Sequence, residues 1–272
     1  MKIGVIHSLQ LDSQQNQFNN VKSYDLDVCQ LLCGGDKLPA TQEMADRIIQ
    51  ESREAEIRVC AVWAGLPGVG SWNFTEGPVT LGLVPAELRE ERVQALKQWA
   101  DLAAWIGAPA IITHCGFIPE NLTDPEFTPI VDAIREVAQY CAQLGIEFWF
   151  ETGQETPITL LRTIERVGTS NLGINLDPAN LIMYGKGNPI DALDVFGRYV
   201  RNVHVKDGFY PTNGDKLGDE VRVGEGKVDF PQFLNKLKQL GFDGEFIIER
   251  EISGPEQHAD IIQTIQYLQK WW

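Results

Sequence analysis

Four short apolar runs in the second half of the chain finish on residues able to hold a metal ion. Ile146-Glu147-Phe148-Trp149-Phe150-Glu151 and Gly244-Glu245-Phe246-Ile247-Ile248-Glu249 each end on a glutamate, the run 172–177 ends on Asp177, and His204 lies in the run 200–205. A carboxylate beside apolar side chains loses its hydration, and three of them converging on one place repel each other and raise their pKa values. A divalent cation removes both costs. Three oxygen ligands with one imidazole suit Mn²⁺ first, then Co²⁺, Mg²⁺ or Fe²⁺; Zn²⁺ is compatible, although a structural zinc site carries more Cys or His. One divalent ion held by Glu151, Asp177, His204 and Glu249 is therefore expected. Taken singly, a glutamate ending a strand is more often a surface group, and a lone strand histidine more often a core residue. The weight lies in four ligand-type residues on four successive strands.

Other side chains are candidates for a substrate. His7 and His114 stand at the ends of the first and fourth apolar runs. Lys206 shares strand parity with His204 and would face the same side, to hold a substrate oxygen or to pair with Asp207. Glu155 follows Glu151 by four residues in the next loop. Trp63 and Trp72 flank the glycine-rich segment 64–70, where an aromatic ring could stack on a sugar or pack as a lid. His258 falls in the last helical stretch and is expected in solvent. No GxGxxG or GxxxxGK[ST] pattern is present, and Gly208, Gly214 and Gly218 after the seventh run make no recognisable phosphate cradle, which favours a free sugar or cyclitol over a sugar phosphate.

The elements that must position these residues alternate regularly. Apolar runs at 3–7, 26–31, 57–63, 109–114, 146–151, 172–177, 200–205 and 244–249 predict strands, and helical patterns lie near 11–22, 40–55, 85–106, 126–144, 157–167, 189–198, 229–240 and 255–270. In the third helix Leu88, Val93, Leu96, Trp99, Leu102 and Ala103 share one side. Gly107, Gly145 and Gly241 stand just past helices, and Asp229 precedes Phe230-Pro231 as an N-cap. Eight such units predict an α/β fold, one (β/α)₈ TIM barrel over 1–272; an open doubly wound sheet is the rival. In a barrel the C-terminal strand ends carry the chemistry, and here those ends are His7, Gln30, Trp63, His114, Glu151, Asp177, His204 and Glu249.

With 23 Lys and Arg against 38 Asp and Glu, the net charge is −15 and the pI about 4.7, which disfavours nucleic acid and anionic membranes as partners. Cys29, Cys33, Cys60, Cys115 and Cys141 are odd in number and form no CxxC pair, which suits a reducing compartment. The first residues read as a strand rather than a signal peptide, and no run approaches the roughly 18 apolar residues of a membrane span. A cytoplasmic, soluble protein is expected. The terminal Trp271-Trp272 pair is compatible with packing on a partner subunit in a homodimer or homotetramer.

The stretches FWFETGQET (148–156), GINLDPANL (173–181), NVHVKDG (202–208), VGEGKVDF (223–230) and GEFIIERE (244–251) resemble the sugar phosphate isomerase/epimerase superfamily, the xylose isomerase-like barrels that include ketose 3-epimerases, inosose dehydratase and endonuclease IV. The resemblance covers the C-terminal half; the N-terminal half shares only the strand–helix rhythm. It implies that the metal quartet is Glu151, Asp177, His204 and Glu249, that Glu151 and Glu249 are also the acid/base pair, and that Arg222 contacts substrate. One departure is Asn180, where many relatives have a histidine; Asn can bond a substrate hydroxyl but is a poor metal ligand. With four His in all, the chain lacks what the three-metal cluster of endonuclease IV requires. The implied chemistry is removal of a proton beside a ketone, with the enediolate stabilised by the cation. Returning the proton to the other face epimerises, returning it to the neighbouring carbon isomerises, and losing a β-hydroxyl dehydrates. The quartet alone does not choose, so an epimerase or isomerase is expected first, a keto-inositol or keto-sugar dehydratase second, and a non-catalytic sugar-binding barrel last.

Overall fold

The computed structural model describes residues 1–9, 13, 15–34 and 40–271. Eight parallel strands close into a barrel: Lys2–Ser8, Val28–Cys33, Arg58–Ala64, Ala110–Thr113, Glu147–Glu151, Leu172–Leu176, Val200–Val205 and Glu245–Ile248, with the eighth pairing back to the first. The open-sheet alternative is thereby excluded. Long helices follow most strands, including Gln42–Ala55, Ala86–Ile106, Phe127–Gln143, Pro157–Val167, Pro189–Phe196, Phe230–Gln239 and Pro255–Leu268. Gly107 closes the helix Ala86–Ile106 in the left-handed region at φ 75°, as its place past the apolar stripe predicted.

Two expectations are corrected. The second strand begins at Val28 rather than at 26, because the chain leaves a left-handed turn at Asp25 (φ 59°) and joins the ladder only beyond Asp27, so Gln30 stands inside the strand instead of at its end. In the stretch 11–22 only Asn19–Lys22 is helical among the described residues; 10–12 and 14 lie outside them. The reading also passed over the short helices Gly77–Thr80 and Pro178–Met183, too brief for a period to register.

The pleat divides each strand between two cores. Phe148, Phe150, Ile174, Leu176, Val203, Val205, Phe246 and Ile248 join the helix residues in the outer layer. Trp149, Ile112, Ala110 and Ala61 cluster inside the barrel, as do Ile247, Cys60 and Val28. Since parity alternates with period two, Glu151, Asp177, His204 and Glu249 all share the inward phase of their strands. All five cysteines are buried free thiols. No described helix is long and apolar enough to cross a membrane.

The loop after the seventh strand is tied down by a single carboxylate. Asp207 pairs through the two-residue ribbon Asp207–Gly208 with Glu220–Val221, and its side chain accepts backbone N–H bonds from Gly208 (2.9 Å) and Val228 (3.0 Å) at Oδ1, and from Gly224 (2.9 Å) and Gly226 (3.0 Å) at Oδ2. A Cβ at Gly226 would lie 2.1 Å from Oδ1, so only glycine lets the loop close on this anion. Asp207 is thus a loop staple rather than the partner of Lys206. Asp207→Ala strands four amide donors, and we expect it to lower the unfolding free energy by about 3–5 kcal/mol, measured by urea denaturation.

Candidate metal centre

The inward phase of strands five to eight brings the four ligand-type residues to one point. Glu151, Asp177, His204 and Glu249 each offer one donor atom, and these atoms lie within 4.8 Å of one another. His204 Nδ1 is the hub: it lies 2.9 Å from Glu151 Oε1, 3.0 Å from Glu249 Oε2 and 3.9 Å from Asp177 Oδ2. Asp177 ends its strand as the N-cap of Pro178–Met183, so Oδ1 accepts the Asn180 N–H at 2.8 Å while Oδ2 is buried with no hydrogen-bond partner. Thr152 holds the Asp177 backbone from both sides, its hydroxyl bonding the carbonyl and the amide at 2.9 Å each. The donor set is carboxylate-rich with one imidazole, and it leaves an orphaned buried oxygen aimed at the centre. These residues fit a divalent cation.

The electrostatics point the same way. Burial pushes Asp177 well above the usual carboxylate range. Burial would do the same to Glu151 and Glu249, but the positive charges of His204 beside Glu151, and of Lys206 and His204 beside Glu249, hold both below their usual value. The expectation that all three carboxylates would be raised is thus met only at Asp177. Burial works against a charged His204, yet the Glu151 and Glu249 carboxylates raise it well above the ordinary histidine value. Without an ion, the shifts at Asp177 and His204 both run toward the protonated form.

Lys206 is buried at 2 % exposure, its Nζ 3.4 Å from Glu249 Oε2, 3.8 Å from Asp177 Oδ2 and 3.4 Å from Asn180 Oδ1, and it pairs closely with Glu251. Burial would discharge it, but Glu249, Asp177 and Glu251 raise its pKa well above 10.5, so it is a fixed cation and not a base.

The other predicted residues divide. The indole N–H of Trp63 donates to Glu151 Oε2 and so holds that carboxylate in place. His114 Nε2 lies 3.5 Å from Glu151 Oε1, its ring meets Trp72 edge-on at 5.1 Å, and its Nδ1 is buried without a partner. Burial lowers its pKa. Glu155 is buried with Oε2 unpartnered, and burial raises its pKa to about 8. Asn180 gives its side-chain oxygen to Lys206. Two of the residues stand away from the quartet. His7 occupies the outward phase of its strand, its ring 5.2 Å from Phe18, and burial lowers its pKa to about 4. The pleat that turns Ile6 inward turns His7 toward the helices. Arg222 pairs with Asp260 and Glu256 of the last helix and contacts no quartet member. His258 packs against Tyr24 at 4.8 Å. Gln30, given no role from sequence, makes a 2.7 Å contact with His204 Nε2; its inward parity was the available signal.

A family model described as xylose isomerase-like TIM barrel matches residues 18–271. The crystal structure of a xylose isomerase domain protein from Planctomyces limnophilus superposes with a TM-score of 0.90 at 33 % identity, over 99 % of this chain and 96 % of that one. A D-tagatose 3-epimerase-like protein superposes with a TM-score of 0.74 at 20 % identity, over 99 % and 97 % of the two chains, and shows the shared fold. In sequence, the chain is 24 % identical over 191 residues to inosose dehydratase of Geobacillus kaustophilus, spanning 60 % of this chain and 62 % of that enzyme.

Glu155 carries a stability signature. Its folded pKa of about 8 exceeds the ordinary 4.5, so the folded state binds the proton more tightly and stability falls as pH rises through that window. Each pH unit there costs the wild type up to about 1.4 kcal/mol. We expect Glu155→Gln to flatten the decline, so that wild type loses melting temperature between pH 5 and pH 8 relative to the variant. Parallel melting curves would contradict the assignment.

Proposed function

The chain belongs to the xylose isomerase-like TIM barrel family, and on that premise we propose that it is a divalent-metal-dependent epimerase or isomerase of a ketose or related keto-sugar. The observation that carries this reading is the placement of two carboxylates, Glu151 and Glu249, 2.9 and 3.0 Å from the same His204 nitrogen but from different walls of the barrel, strands five and eight. The bound ion, Mn²⁺ first with Co²⁺, Mg²⁺, Fe²⁺ or Zn²⁺ as substitutes, would supply the charge that makes a carbon-bound hydrogen beside a ketone removable at neutral pH.

The chain's own groups would do the rest. Glu249, its side chain 16 % exposed, is the most open of the four, and Lys206 beside it keeps it ionised, the state needed to take a proton. Glu151, fully enclosed and aimed by the Trp63 indole, reaches the centre from another wall, where it would return a proton once it had itself taken one up. His114 Nδ1 and Glu155 Oε2, buried and unpaired, would find partners in substrate hydroxyls. Trp72, half-exposed against His114, would cover an apolar sugar face. The free buried thiols suit a cytoplasmic enzyme, and the exposed Trp271 suits a homo-oligomer.

A second reading, dehydration of a keto-inositol or keto-sugar, is favoured by the likeness to inosose dehydratase and by Glu155, a buried carboxyl still protonated near neutral pH and so able to protonate a leaving hydroxyl.

Incubating the Mn²⁺-loaded enzyme in D₂O with ketoses and keto-inositols separates these. Deuterium entering a carbon as an epimer or isomer accumulates, read by NMR on the quenched and metal-stripped mixture, supports the first reading; loss of water with a new enone absorbance supports the second. Chelation is expected to abolish turnover. Glu151→Gln and Glu249→Gln are each expected to lower kcat by about 10²–10⁴-fold. A variant that keeps wild-type turnover removes that residue from the acid/base pair.

A further inference from the structure

We infer that Gln30 is the residue that makes His204 a metal ligand, by taking the proton-bearing ring nitrogen from behind and turning the lone pair of the other toward the centre. The inference rests on the metal reading above. Gln30 and His204 are 174 residues apart, both fully buried, and Gln30 Oε1 lies 2.7 Å from His204 Nε2. An amide oxygen can only accept, so the proton is on Nε2. Nδ1, the nitrogen facing Glu151, Glu249 and Asp177, then holds only the proton it shares with those carboxylates, the one a cation would displace. With the amide turned over, its NH₂ would demand a lone pair at Nε2 and push the proton onto Nδ1, into the space the ion needs. The orientation of one buried amide thus decides whether the centre is open.

The backbone is irregular at the level of this residue. Strands two and three slip register between Cys29 and Gln30, where the partner jumps from Val59 to Ala61. The extra residue, Cys60, turns inward to pack with Val28 and Ile247, while Ala61 belongs to the other interior cluster. A bulge re-aims neighbouring side chains, and this one lies where the Gln30 amide must reach across the barrel to strand seven. A second slip, between Ile174 and Asn175, accompanies another amide pair, Asn202 donating to Asn175 Oδ1 at 2.6 Å. Beneath the quartet, strands six and seven carry the amides Asn175 and Asn202, while strands five and eight carry the apolar Trp149 and Ile247.

Charge explains why the accepting group is neutral. Glu151, Asp177 and Glu249 bring three negative charges when ionised; a divalent ion and the buried Lys206 offset them. A carboxylate at position 30 would orient the ring equally well but add an uncompensated buried charge. Glutamine gives the geometry without it.

The test uses the full-length protein, stripped of metal and titrated with MnCl₂ by calorimetry, alongside Gln30→Leu and Gln30→Glu. Gln30→Leu, which cannot accept a bond, is expected to weaken Mn²⁺ binding by about 10–100-fold. Gln30→Glu is expected to keep the wild-type affinity or tighten it. In the Zn²⁺-loaded wild type, imidazole ¹⁵N NMR is expected to show the His204 proton on Nε2. This measurement decides the matter even if Gln30→Leu does not fold. Unchanged affinity in a folded Gln30→Leu protein, or a proton on Nδ1 of the loaded wild type, overturns the role of Gln30 while leaving the metal site intact. A wild type that binds neither ion overturns the metal reading and this inference with it.

Discussion

The mutual repulsion of three close carboxylates, two buried and one half-buried, is the constraint around which the upper half of this barrel is arranged. Glu151, Asp177 and Glu249 stand within 4.8 Å of one another and of His204, largely out of water, where like charges are expensive. Each neighbour that sequence or structure places there lessens that cost. Lys206 brings a permanent cation to Glu249 and Asp177, His204 stands between Glu151 and Glu249, and the Trp63 indole and Asn180 amide donate to single oxygens. The orphaned Oδ2 of Asp177 marks what the protein itself leaves unsupplied.

The barrel makes such a cluster attainable because its pleat gives every strand two faces with separate duties. Outward residues such as Phe148, Phe150, Val203 and Phe246 bury apolar surface against helices and provide stability. Inward residues then need not be apolar at the strand ends where the quartet stands. The same alternation turns His7 away from the quartet: its neighbour Ile6 points in, so His7 points out toward Phe18. Below the quartet, the amides of Gln30, Asn175 and Asn202 share the interior with Trp149 and Ile247, and the register slips opposite Gln30 and Asn175 lie beside those amides. Around the mouth, Asp207 gathers four amides and fixes the loop that returns toward the eighth strand.

Much of this was legible in the chain. Eight apolar runs separated by amphipathic stretches specify the barrel, because strand and helix periods differ and parallel strands need crossovers. Runs that end on Glu151, Asp177 and Glu249 single out the acids of the cluster, since an acid closing an apolar strand needs a compensating partner. His204 and Lys206 follow from parity. The capping positions of Gly107 and Asp229 are local chemistry and were readable as such.

What the sequence alone could not decide are relations between distant residues and the phase of each strand. The second strand starts two residues late because of a left-handed turn at Asp25, a backbone event without a pattern of its own. Arg222 turns to Asp260, and Trp63 commits its N–H to Glu151, because only closure of the barrel and docking of the last helix bring those partners within reach. Gln30 meets His204 across the interior for the same reason. The order of residue types determined the barrel and the ligand-type residues at its strand ends; the circular closure of eight strands, which sets neighbours without regard to their separation in the chain, determined which side chains orient, neutralise and enclose them.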